Sequence, residues 1–181
     1  MLHRADLHAV LVQAVRALKP EAIRLGAQVQ EHHEREDRVW VKAAGAPIAG
    51  FDAVIGADGI HSHCRARLFG AATPWFTGCI AWRGLASAKE LPDHLSAPVG
   101  TNWVGPGAHV ITYPVRRGEL INVVGVVERS DWTHESWNSP GRVEDCLRDF
   151  RGWHEDVQRL FRAIDTPYQW ALLGRDPMLR W

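Results

Sequence analysis

The chain has 181 residues, enough for one large domain or two small ones. Its 21 Lys and Arg balance its 21 Asp and Glu, so it lacks the basic excess of a nucleic-acid binder. No apolar run is long enough to span a bilayer, and the mixed-charge opening Met1 to Asp6 does not read as a secretory signal.

Leu7, Val10, Leu11, Ala14, Val15 and Leu18 repeat at helical spacing, with Asp6 in the first turn and Pro20 as the stop. Gln28 to His33 and Val39 to Ala43 read as strands joined by the charged turn Glu34 to Arg38. Gly45, Pro47 and Gly50 then turn the chain into the Phe51 strand. The short apolar run Ala53 to Ala57 reads as a buried strand that breaks at Asp58-Gly59, before a helix-like segment from Ser62 to Phe69.

After Gly70 the composition changes. Gly78 to Leu85 reads as a strand, and Lys89 to Gly100, with Pro92 and Pro98, as a loop. Thr101 to Val104 is a short strand ending at Gly105-Pro106-Gly107. His109 to Val115 and Leu120 to Glu128 form a hairpin around Arg116-Arg117-Gly118-Glu119, whose arginines read as solvated turn charges. Hairpin connections predict an antiparallel sheet. Ser139-Pro140 reads as a helix start, with Val143, Cys146, Leu147 and Phe150 on the buried face. Val157, Leu160, Phe161 and Ile164 mark a second helix, and Gln169 to Leu173 a last strand. The fold class expected is α/β of the mixed α+β kind.

Three cysteines, Cys64, Cys79 and Cys146, are far apart and odd in number, without metal spacing or a disulfide framework. They predict a reducing, cytoplasmic setting. His61 and His63 lack a third metal ligand in register. Nine tryptophans imply broad aromatic surfaces in a core, an interface or around a flat ligand.

Two places can carry chemistry. Gly59 can take a positive φ, so the chain reverses tightly at Asp58-Gly59. A carboxylate at a strand's C-terminal end lies where open α/β sheets bind ligands. Asp58 is therefore placed to hold a ligand hydroxyl, or a water bridging to a phosphate. An ordinary turn before a surface helix is the alternative. The second place is His109, Ile111 and Tyr113, which share one face of a strand. His109 and Tyr113 are roughly 13 Å apart along it, about one aromatic ring with a hydrogen bond at each end. Histidine, with an ordinary pKa near ~6.5, can accept a phenolic proton at neutral pH. Tyrosine can donate to or accept from a ring substituent. The alternative is a packed, hydrogen-bonded pair on a sheet.

Gly56-Ala57-Asp58-Gly59-Ile60-His61-Ser62, followed by Arg65, resembles the Asp-Gly motif of the flavoprotein monooxygenases that hydroxylate aromatic rings. The salicylate, 3-hydroxybenzoate and 6-hydroxynicotinate hydroxylases are the nearest in look, and the resemblance runs along nearly the whole chain. Gly105 to Pro114 resembles their Gly-Pro-Gly-x-His-x-x-x-Tyr-Pro stretch, and His3 to Leu7 their His-Arg-Ala-Asp-Leu stretch.

The resemblance implies a Rossmann-like FAD-binding domain, present in part, and an antiparallel substrate domain. It also implies FAD as cofactor, NADH or NADPH as co-substrate, dioxygen, and a small phenolic acid as substrate. A homodimer of the complete enzyme is compatible with it. His109 would be the base and Tyr113 a substrate-binding group. Arg4 would reach the flavin near its ribityl chain with a guanidinium fork. Val29 would lend backbone contacts on the adenine side. Asp58 and Gly59 would form a second flavin contact that also bears on nicotinamide use. Trp82-Arg83-Gly84 matches a further stretch of the family on the substrate side. An arginine near a site for an aromatic acid can offset a carboxylate; the alternative is a structural ion pair bridging the two subdomains.

Residues 1–74 are expected as the partial FAD-binding domain and 75–173 as the substrate domain, with 174–181 returning towards the first. No G-x-G-x-x-G follows a strand, and the family's second Gly-Asp motif would lie beyond Trp181. The expectation is a central portion of such an enzyme, poorly stable and inactive alone. The rivals are a flavin epoxidase or reductase of the same fold, or a non-catalytic interaction module.

Overall fold

The structure, a computed structural model, describes residues 1–131 and 139–178. Leu179, Arg180 and Trp181, part of the expected returning segment 174–181, lie outside the described residues. The chain forms two compact units. One is Leu7–Pro74; the other is Met1–Asp6 with the chain from Trp75 onward.

The division falls inside helix α1 (Arg4–Leu18), which forms where the helical spacing predicts and stops before Pro20. Its stripe of Leu7, Val10, Leu11, Val15 and Leu18 is exposed. The meander β1 (Val29–Arg35), β2 (Arg38–Ala43) and β3 (Ala49–Phe51) follows, antiparallel in the order β1-β2-β3. Glu36 and Asp37 turn β1 into β2 with φ of 54° and 58°, the two-residue geometry whose twist suits a hairpin.

The expected buried strand at Ala53 to Ala57 does not form. These residues pair with no strand among the described residues, and Val54 and Ile55 are exposed. A β-branched run has strand propensity, but a strand exists only where neighbouring backbone groups accept its hydrogen bonds. Helix α2 (His63–Phe69) then starts at Ser62, whose hydroxyl accepts from the Arg65 amide at 2.9 Å.

From Trp75 onward the strands are β4 (Trp75–Ser87), β5 (Thr101–Gly105), β6 (Ala108–Val115), β7 (Leu120–Glu128), β8 (Ser139–Pro140) and β9 (Tyr168–Gly174). They form one sheet in the order β5-β6-β7-β4-β9-β8, every neighbouring pair antiparallel. The Pro-rich stretch expected as loop holds one helical turn, α3 (Asp93–Ser96), entered through Pro92 with Asp93 in its first turn.

Helices α4 (Val143–Asp149) and α5 (Glu155–Arg162) cover one face of this sheet. Ile80, Trp82 and Ala86 of β4, Val110 of β6, and Ile121 and Val123 of β7 meet Cys146, Phe150, Val157, Leu160 and Phe161 from the helical side. Phe150 and Phe161 stack with ring centres 4.7 Å apart. They lie so close to β7 that a Cβ on Gly125 would stand 2.7 Å from the ring of each. The Trp82 indole keeps its N–H satisfied in this core by donating to Asp149 at 2.7 Å, and Arg129 donates to the same carboxylate at 3.3 Å.

Ser139-Pro140 is not a helix start. The two residues pair with Gln169 and Tyr168 at the sheet edge, where a proline's missing N–H is tolerated. The helix waits until Val143, because Gly141 first packs against Trp82 and donates its amide to the Pro167 carbonyl at 2.8 Å. No helix among the described residues is long and apolar enough to cross a membrane.

Candidate active site

Register decides which side chains share the sheet's open face. Alternate residues point to opposite faces, and directly paired residues point to the same one. Ile80, Val110 and Val123 face the helices. His109, Ile111 and Tyr113 of β6 therefore face away, paired with Val126, Val124 and Asn122 of β7. Ala81, Arg83 and Leu85 of β4 pair with the same three, and Tyr168 and Trp170 of β9 pair with Arg83 and Ala81.

The open face thus reads in rows across the strands. His109, Val126, Ala81 and Trp170 form one. Ile111, Val124, Arg83 and Tyr168 form the next, and Tyr113, Asn122 and Leu85 the third. Among the described residues, neither His109 nor Tyr113 spends its side chain on a hydrogen bond or ion pair, and both are part-exposed.

Open-face residues line two hollows among the described residues of this unit. The larger, about 700 Å³, is walled by His3, Arg4, Arg83, Leu85, Tyr168 and Trp170, within the size range of small-molecule sites. Neither arginine makes an ion pair among the described residues, and the acid that also lines the hollow, Asp165, pairs with neither. The smaller, about 410 Å³, holds His109, Ile111, Asn102, Val104 and Val126. Tyr113 is paired with Asn122.

Asn122 is only 2% exposed, and its Nδ2 has no hydrogen-bond partner among the described residues. Its Oδ1 accepts a long hydrogen bond, 3.4 Å, from Arg83 Nε. An unsatisfied buried amide costs about 1–3 kcal/mol, so the position keeps a polar group that packing alone would replace. The one signal in the sequence is an amide interrupting the apolar run Leu120 to Val124.

Arg116 is not a solvated turn charge. Its guanidinium grips Asp6 with both arms, Nε to Oδ2 at 2.9 Å and Nη2 to Oδ1 at 2.8 Å. This hydrogen-bonded pair holds the Asp6 carboxyl below its usual range and ties the start of α1, two residues after Arg4, to the β6–β7 turn. Periodicity could not reveal a contact spanning 110 residues of chain.

Arg4 therefore belongs to the unit that carries His109 and Tyr113, whereas Val29, Asp58 and Gly59 belong to the other. Val29 opens β1 and is exposed. Gly59 takes the left-handed φ, 78°, that its turn requires. The Asp58 carboxylate faces back into its own helix start. It accepts from Ser62 Oγ at 2.5 Å, the His63 amide at 2.7 Å and the Cys64 amide at 3.1 Å. The Ser62 bond above all, with the backbone amides, draws its pKa down from 3.8 to about 2. Gly56 belongs to the same knot, since a Cβ there would lie 2.6 Å from Cys64 Cβ.

No protein-family model matches the chain. Over 181 residues, its full length, it is 36% identical to a 3-amino-4-hydroxybenzoate 2-monooxygenase of Streptomyces platensis, of which it covers 45%. Among solved structures, a salicylate hydroxylase substrate complex matches 94% of this chain and 46% of its own at 30% identity, with a TM-score of 0.76. HpxO of Klebsiella pneumoniae, complexed with FAD and uric acid, matches 94% of this chain and 42% of its own at 26% identity, with a TM-score of 0.76. The chain spans about half the length of the curated relatives it matches. It is a relative, along its full length, of part of the FAD-dependent aromatic-ring monooxygenases.

Proposed function

We propose that this chain carries the substrate face and part of the flavin floor of an FAD-dependent monooxygenase that hydroxylates a phenolic aromatic acid, using NADH or NADPH and dioxygen. One observation carries the reading. His109 and Tyr113 flank Ile111 on the sheet face turned away from α4 and α5, and among the described residues neither polar side chain is engaged. Ring hydroxylation needs a proton acceptor for the phenol, a second polar group to orient the ring, and a dry floor between them. In this reading an imidazole nitrogen of His109 takes the phenolic proton. Tyr113 Oη hydrogen-bonds a ring substituent, and Ile111 with Val124 excludes water beneath the ring.

The residues present suit a flavin. Arg4 presents a guanidinium with no ion pair among the described residues in a hollow of about 700 Å³ with the aromatic walls Tyr168 and Trp170, a donor set for a polar chain beside a flat ring system. Val29 is read as a backbone contact on the adenine side, and Asp58-Gly59 as a second flavin contact. Bound FAD would supply the redox chemistry with the nicotinamide and dioxygen. The same reading has the complete enzyme working in the cytoplasm, and a homodimer is compatible with it.

The test is His109→Ala in the complete FAD-loaded protein. Ring hydroxylation is expected to slow about 10²–10⁴-fold, while flavin reduction, followed by absorbance, changes little. Equal losses in the two steps would overturn the base role.

A further inference from the structure

We propose that Arg83 is the carboxylate anchor of this site, holding the acid group of a ring that lies across Ile111 and Val124. The inference rests on the reading that this sheet face holds the ring, and it adds a third corner to the site.

The row of Arg83 is the middle one. His109 lies one row to one side, Tyr113 one row to the other, and β6 is two strands away across β7. With strands about 4.8 Å apart and about 6.7 Å between rows, the Arg83 backbone is roughly 12 Å from that of either residue. A guanidinium on its stem and an imidazole on its own can close that span onto the two ends of one benzene ring. The surface between is apolar, Ile111 and Val124 standing in the same row as Arg83.

Two further observations make Arg83 more than a surface charge. It lines the large hollow with no acidic partner among the described residues, and a guanidinium left unpaired in an aromatic-walled hollow favours a planar anion. Its Nε is bonded to Asn122, 2% exposed, whose amide has no other partner among the described residues. A neutral acceptor there orients the guanidinium without cancelling its charge. Leucine or valine at position 122 would suit the packing better and would leave Arg83 free to swing. Asn122 is thus a positioning residue, and Arg83 makes the contact.

Binding, rather than turnover, tests this. Quenching of tryptophan fluorescence in the FAD-loaded complete protein would be titrated with 3-hydroxybenzoate and with its neutral isostere 3-hydroxybenzamide. Wild type should prefer the acid. In Arg83→Gln the acid should bind about 10- to 100-fold more weakly, the loss expected for a charge-assisted pair, with the amide little changed. Arg83→Lys should recover part of the preference. Asn122→Asp should abolish it with Arg83 in place, because the new carboxylate gives the guanidinium an internal counter-ion. That variant decides the matter if near-UV circular dichroism shows Arg83→Gln to be misfolded. The proposal is overturned if wild type does not distinguish acid from amide, or if the preference survives in Arg83→Gln or Asn122→Asp. An acid preference that follows Arg83, in a protein that never hydroxylates the ring, would instead sink the oxygenase reading and leave the anchor standing.

Discussion

From Trp75 onward the chain withdraws Ile80, Trp82, Phe150 and Leu160 from solvent almost completely, whereas no residue of Leu7–Pro74 is buried. Both regions have the apolar periodicity from which cores are made. The stripe of α1 repeats at helical spacing but is less sharply separated from polar residues than that of α5, and among the described residues the α5 stripe is the one packed into the core against the sheet. Periodicity says which face a helix offers; a second layer decides whether that offer becomes stability. Polar chemistry divides the same way. In the later region Trp82, Asp149 and Arg129 are locked together at the edge of a core. In the earlier one Asp58 and Ser62 organise a single exposed turn.

Breaking the core should have the largest effect. Phe161→Ala removes the ring stacked on Phe150 beneath Gly125 and should cost about 3–5 kcal/mol. Urea unfolding followed by tryptophan fluorescence would show it, and a cost under about 1 kcal/mol would mean that the helices do not rely on this contact. The same deletion in the earlier region should do almost nothing. Leu11→Ala on the exposed stripe of α1 should stay within about 0.5 kcal/mol in the same assay; a core-sized loss would show that the stripe is covered in solution.

The smallest effect is local and depends on pH. The Asp58 pKa is depressed from 3.8 to about 2, so its bonds support the turn above the ordinary value. That support is lost as pH falls through about 2. Ser62→Ala removes the leading cause, and the carboxyl titration followed by NMR should move up towards 3.8. It should stop short, because the His63 and Cys64 amides still donate. An unmoved titration would assign the shift to the backbone alone.

The amino-acid sequence by itself determined most of the elements: the helix ended by Pro20, the hairpins and the two late helices, because local spacing and turn chemistry are enough for these. It also put His109 and Tyr113 on one side of a strand, since alternation is a property of a single strand. Only the tertiary structure decided the rest. Ala53 to Ala57 has the composition of a strand but no partner to pair with among the described residues, and Ser139-Pro140 has a helix-start signature overridden by pairing with β9. The grip of Arg116 on Asp6 and the placing of Arg83 beside Asn122 join residues 110 and 39 positions apart. Such contacts arise from sheet register and chain closure, which no local window of sequence contains, because they depend on which strands lie side by side.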